Sequence, residues 1–243
     1  QFALMFRVSA PVLHGWRVEI GNDVFRKQSG IAGIENVRIR SVRYEIFRNI
    51  TSATVVSPTL LDAMRLRATG FYQHRRDLFF NPEDEVGFSR SDTDDLGVSY
   101  GANALATVHW REARQVIDFF AETRRERFTP TDENPAVGEG FTRHRSAVSF
   151  SAEDRLLLGE TMELSAGYRY QESVDNYSGP VPFGQPPSPR DEPNWSTFHG
   201  PSYGVRWRLH PRMTARANRT HYARFPSMIE LFGVSGSVQG NTE

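Results

Sequence analysis

Residues 161 to 171, TMELSAGYRYQ, alternate without a break. Met162, Leu164, Ala166, Tyr168 and Tyr170 are apolar or aromatic, while Thr161, Glu163, Ser165, Gly167, Arg169 and Gln171 are polar or small. Period two sends successive side chains to opposite faces, so the stretch predicts a strand with one oily and one wet face. AMRLRATGFYQ repeats the template, Met64, Leu66, Ala68 and Tyr72 opposing Arg65, Arg67, Thr69 and Gln73, with Phe71 the one apolar residue out of phase. YGANALATVHW and YGVRWRL follow it too. Ten such segments are predicted: 2–10, 15–21, 36–48, 62–73, 99–111, 115–128, 143–152, 161–175, 202–209 and 212–225. A phase slip near Ser41, where Val37 and Ile39 give way to Val42, Tyr44 and Ile46, predicts a bulge.

The links between segments alternate in length. Tight ones (PVLH, EAR, and His210 with Pro211, with 49–61 and 153–160 as middling members of the set) take turns with long ones at 22–35, 74–98, 129–142, 176–201 and 226 onward, the long set rich in Gly, Pro, Asp and Asn. Short turns at one end and long loops at the other are the mark of an outer-membrane barrel. Aromatics fall into two bands, Phe71, Tyr72, Tyr168, Tyr170, Tyr203 and Tyr222 at loop-side ends and Trp16, Trp110, Phe150 and Trp207 toward the turns, as rings do at two membrane interfaces.

Composition narrows the chemistry. The 29 basic and 29 acidic residues cancel, so no global field draws nucleic acid or acidic lipid. Lys27 is the only lysine; the remaining cations are arginines, whose forked donors suit anionic groups. The absence of cysteine excludes disulfides, thiolate metal sites and a cysteine nucleophile. No apolar run approaches the roughly 18 residues of a membrane helix, but barrel strands need none. The chain starts without Met or a signal pattern and stops in a predicted loop, which suggests a piece of a longer protein. No phosphate loop, metalloprotease His pair or nucleophile elbow occurs. The seven histidines stand singly, so no catalytic residue, metal site or cofactor is assigned. The acidic stretch 83–95 lacks the spacing of a calcium loop.

The C-terminal run YARFPSMIELFGVSGSVQGN resembles a segment of TonB-dependent outer-membrane receptors. In these, a barrel strand ends in aromatic and Arg residues, followed by Pro, Glu-Leu-Phe or Glu-Leu-Tyr, Gly and finally Gly-Asn. The matching residues are Tyr222, Arg224, Phe225, Pro226, Glu230, Leu231, Phe232, Gly233, Gly240 and Asn241, read as structural. Ala166, Gly167, Tyr168, Arg169 and Tyr170 are similar to the family's strand ending Gly-Leu-Arg-Tyr, and FYQHRRDLFFNPED to its extracellular strand ends.

The resemblance implies an all-β fold: an antiparallel transmembrane β-barrel segment, about ten strands of a barrel of about 22, with short periplasmic turns and long extracellular loops. Residues 1–243 would be a partial barrel, with the plug domain and C-terminal strands absent. The implied function is active transport of a scarce nutrient, a ferric siderophore first, energised by the TonB complex through the plug, with outer-membrane lipid and lipopolysaccharide as further partners. No nucleic acid is implied. Arg75, Arg76, Phe79, Phe80, Tyr177, Phe183, Trp195, Phe198 and His199 place cations and aromatics on predicted extracellular loops, a mix that suits an anionic, aromatic chelate. Two alternatives stand beside this. One is a ten-stranded outer-membrane protease or lipid-modifying enzyme recruiting His74 with Asp77 or His199 with Asp191. The other is a soluble β-sandwich binding module.

Overall fold

The computed structural model describes residues 1–30, 40–83, 85, 91–110, 114–131, 142–177 and 193–225. It contains β1 (Phe2–Pro11), β2 (Arg17–Gly30), β3 (Arg43–Val56), β4 (Met64–Asn81), β5 (Ser91–Trp110), β6 (Gln115–Thr129), β7 (Arg143–Leu158), β8 (Met162–Tyr177), β9 (Asn194–His210) and β10 (Met213–Thr220). All ten join one antiparallel sheet in sequence order, β1 to β10, which is open because β1 and β10 are its edges. Each predicted segment falls on a strand, and a single layer leaves no place for the two-sheet core of a sandwich.

The faces are the reverse of a soluble protein's. Leu4, Phe6, Ile20, Tyr72, Tyr100, Phe119, Phe150, Tyr168, Tyr203 and Trp207 are exposed, and the cross-strand register puts all of them on one face. Tyr168 and Trp207 are each 51% exposed. Asp77, Asp95, Ser99, Arg143, Arg145, Ser149, Ser173 and Asp175 are buried, and all lie on the other face. With no second layer among the described residues, only curvature toward the polar face crowds those side chains over one another. The polar face is therefore the inside of the wall, and the apolar face looks outward, toward hydrocarbon.

Arg65, Arg67, Arg169, Arg206, Arg208 and Arg216 all occupy the inner face, as the alternation requires. Arg219 faces outward, directly across from Tyr203 of the loop-side aromatic band, and the β9–β10 register shift lies at Met213/Thr214, away from it.

Several boundaries move. β2, β3, β4, β5, β7 and β9 run well beyond the predicted segments, and β5 reaches 20 residues. A membrane crossing needs only about 9–11, so the extra length of β4, β5 and β9, at the long-loop end, stands clear of the apolar band, whereas that of β3 and β7, at the turn end, runs beside it, as Leu156 opposite Leu164 shows. Phe150 pairs with Tyr170, which moves it from the turn-side to the loop-side aromatic band. Ser41 precedes β3 and sits on no strand, so the phase slip there marks a strand entry and not a bulge; Val37 and Ile39 lie outside the described residues. β10 ends at Thr220, short of the predicted Phe225. His221 N–H still donates to the Pro201 carbonyl at 3.0 Å, but Pro201 has no N–H to return, and the ladder stops.

Candidate functional site

Near the long-loop end of the inner face, the register lines up Phe25, Arg48, Arg75, Gly97, Phe128 and Arg143 in one row from β2 to β7, continued by the backbone of Tyr177 on β8. Two guanidiniums directly opposite each other, Arg48 and Arg75, would repel. They turn apart. Arg75 Nε reaches Asp77 at 2.8 Å, and Arg48 lies over the Phe25 ring at 5.7 Å from its centre. Arg48 remains exposed, an inward cation resting on an aromatic face.

One rung toward the turns, an ion-pair chain crosses three strands. Arg145 on β7 grips Asp175 on β8 with two parallel bonds, Nε at 2.6 Å and a terminal nitrogen at 3.0 Å. On its other side it stands 3.8 Å from Glu126 of β6, which Arg124 Nε meets at 3.1 Å. Arg145 is 5% exposed and Asp175 9%, so this fork works in a low dielectric, where a bidentate Arg–carboxylate pair is strongest. Below it, Arg124 lies 5.9 Å from the centre of the Phe71 ring, and that ring covers Gly101. The out-of-phase aromatic of the sequence is thus an inner-wall residue with a cation above it and a glycine beneath.

The nine predicted ligand residues divide between two faces. Arg75, Arg76, Phe79 and Phe80 belong to β4, and Trp195, Phe198 and His199 to β9; their placement on loops is corrected because these strands continue past the apolar band. Arg75, Phe79 and Phe198 occupy inner positions, whereas Arg76, Phe80, Trp195 and His199 occupy outer ones. Tyr177 ends β8, and Phe183 lies outside the described residues. On the outer face His199 Nδ1 is 2.6 Å from the Tyr168 hydroxyl, and its ring lies 5.2 Å from that of Tyr170, an aromatic cluster at the loop-side band. His74 and Asp77 point to opposite faces, so the enzyme reading loses that pair; Asp191 lies outside the described residues. Tyr222, Arg224 and Phe225 follow β10 without strand pairing, and Pro226, Glu230, Leu231, Phe232, Gly233, Gly240 and Asn241 are likewise outside them. Sequence reasoning missed Phe25, Arg48, Phe128, Arg143, Arg145 and Asp175. Counting odd and even positions past the apolar segments would have found them.

At the rim, one carboxylate ties two links together. Glu85, between β4 and β5, accepts from Arg40 N–H (2.9 Å), Ser41 N–H (2.7 Å) and the Ser41 hydroxyl (2.8 Å), while its own N–H donates to Asn81 Oδ1 at 2.9 Å. These donors hold the Glu85 carboxyl below its ordinary range. The contact is therefore complete above the ordinary carboxylate range and is lost as pH falls through the lowered folded value. Glu85→Ala is expected to speed hydrogen exchange at amides 40–42 at neutral pH without altering exchange in β6–β8; unchanged exchange at 40–42 would refute the tie. The other acids of this stretch disperse: Asp94 pairs outward with Arg76 at 2.5 Å, Asp92 accepts from Asn81 N–H at 2.9 Å, and Asp95 faces inward. Among the described residues no three His, Asp or Glu side chains converge on a metal position.

A family model described as TonB dependent receptor-like, beta-barrel, matches residues 22–243. Among solved structures, the copper transporter OprC superposes with a TM-score of 0.78 at 14% identity, over 99% of this chain and 40% of its own. The FrpB iron transporter from Neisseria meningitidis, F3-3 variant, gives 0.72 at 12% identity, over 92% of this chain and 36% of its own. The F5-1 variant apoprotein gives 0.69 at 15%, with 92% and 36% covered. At such identities the likeness is one of fold, and the chain spans well under half of each transporter. No curated protein matches the sequence.

Proposed function

This chain belongs to the TonB-dependent receptor β-barrel family of bacterial outer-membrane proteins, whose members are transport proteins and not enzymes, and from that premise we propose that the whole protein imports a ferric siderophore. The observation that carries the substrate class is the exposed Arg48 guanidinium on the Phe25 ring, with the half-buried Arg75 beside it, at the long-loop end of the inner wall. Guanidinium forks take the carboxylate, catecholate or hydroxamate oxygens of an anionic chelate, and the rings take its flat faces. FrpB is named an iron transporter and OprC a copper transporter, which supports a metal-bearing cargo.

In the proposed whole protein, a plug domain fills the barrel and engages the TonB complex, while residues 1–243 form part of the barrel wall. The outward apolar face contacts outer-membrane lipid.

Arg48 is the residue to test, because its guanidinium is exposed on the inner face with an aromatic behind it. A charge-assisted hydrogen bond contributes about 1.5–3 kcal/mol, so Arg48→Ala in the complete receptor is expected to weaken ferric-siderophore binding by roughly 10- to 100-fold. Radiolabelled iron uptake in cells should fall with it. Unchanged affinity would remove Arg48 from the site. Uptake of a copper chelate with no response to any ferric siderophore would overturn the substrate class.

A further inference from the structure

At the long-loop end of the wall, acids on the outward face are met where they stand. Glu45 takes Arg26 at 2.7 Å, Asp94 takes Arg76 at 2.5 Å, Asp92 accepts from Asn81 N–H at 2.9 Å, and Glu172 accepts from the Tyr170 hydroxyl. Asp154 of β7 is different, because the register sets it outward in the apolar band, directly between Ile117 of β6 and Ala166 of β8. Phe119, Leu164 and Tyr168 are three of its diagonal neighbours. The fourth is Gln115, whose Nε2 donates to Asp154 Oδ2 at 2.8 Å. Asp154 Oδ1 is buried and accepts no hydrogen bond among the described residues. Nor does the second hydrogen of Gln115 Nε2 meet an acceptor there.

Headgroups on the turn side are too far away to serve this pair. Leu156 and Leu158 fill the two outward positions between Asp154 and the turn at Gly159. Two residues along a strand rise about 6.8 Å, so two apolar rungs lie below the carboxylate, while Phe119 and Phe150, both exposed, stand above it. Polar groups left unmet in hydrocarbon are costly, and what is missing here is one donor and one acceptor at the same depth. A cationic side chain would serve only the carboxylate, because guanidinium and ammonium groups accept nothing. An identical Gln–Asp pair serves both. Across a two-fold axis along the membrane normal, the same patch of two copies meets itself, and the spare Gln115 hydrogen of each copy donates to the spare Asp154 oxygen of the other. Each carboxylate then lies between two amide donors. Ala152 and Ala166, small and exposed beside Asp154, let the two walls approach closely.

We propose that the outward face of β6, β7 and β8 is a contact between two copies of this receptor in the membrane, closed by reciprocal Gln115–Asp154 hydrogen bonds. The pairing leaves the inner wall free and does not depend on the cargo proposed above.

The test uses the complete receptor in outer membranes, with any cysteine elsewhere in it replaced by serine; residues 1–243 contain none. Ala166→Cys should give a disulfide-linked dimer on mild oxidation, whereas Leu4→Cys, outward on the distant β1, should stay monomeric. Adding Gln115→Leu/Asp154→Leu should lower the Ala166→Cys dimer about tenfold. Asp154→Asn should leave it unchanged, since its amide oxygen still accepts. Equal cross-linking at Leu4→Cys, or an undiminished dimer in the double leucine variant, would overturn the proposal. So would a product whose mass shows a different chain joined to the receptor, or loss of the dimer in Asp154→Asn, the result a cationic partner requires. If the double leucine variant fails to assemble, Asp154→Asn and the Leu4→Cys comparison decide.

Discussion

Replacing Arg145 by Leu in the complete receptor is expected to lower its stability by about 3–5 kcal/mol, the usual cost of breaking a buried ion pair from one side. The substitution strands Asp175, 9% exposed, opposite an apolar side chain, and removes the cation that also faces Glu126. Because the penalty comes from the uncompensated charge, Arg145→Leu with Asp175→Leu should recover most of the loss. Urea unfolding of the receptor in detergent measures both. A loss below about 1 kcal/mol for the single variant, the range of an exposed pair, would show that the fork is solvated.

The second large effect is expected at Gly101. A Cβ there would press into the carbonyl oxygen of Thr123 on β6, at 3.1 Å from Arg124 Cα and 2.9 Å from the Phe71 ring. The ring can swing away, but the carbonyl belongs to the β5–β6 ladder and cannot. Gly101→Val should therefore cost at least the 1–3 kcal/mol typical of overpacking and reduce the amount of receptor reaching the outer membrane. Removing the ring as well, with Phe71→Ala, should not rescue it. Normal levels of Gly101→Val would show that the strands part without penalty.

The ten strands were legible because lipid on one side and water on the other impose period two, and Met162 to Tyr170 obey it without exception. Their upper ends were not legible, for the same physical reason. Above the apolar band the outward face meets water, so Arg76, Asp94, Arg125 and Arg127 replace the oily residues and the contrast between faces disappears. HRRDLFFN then reads as a loop although it completes β4. That misreading spread to the candidate site, because residues assigned to loops carry no face, and Arg76 and His199 were grouped with Arg75 and Phe198 across the thickness of the wall. The Arg145–Asp175 fork joins residues 30 apart through a register that only the β7–β8 hairpin defines. No local pattern encodes it.

The strictly consecutive strand order carries a consequence for how such a wall can change. Each strand is stitched only to the strands before and after it in the chain, so every ring of chain that assembly must close contains a single link. Closing a link twice as long costs only about 0.6 kcal/mol more, a small charge against the loss expected at Arg145. Segments at the long end can therefore grow, shrink or be exchanged with little effect on the rungs beneath them. The scaffold and the surface that meets the cargo are free to evolve at different speeds.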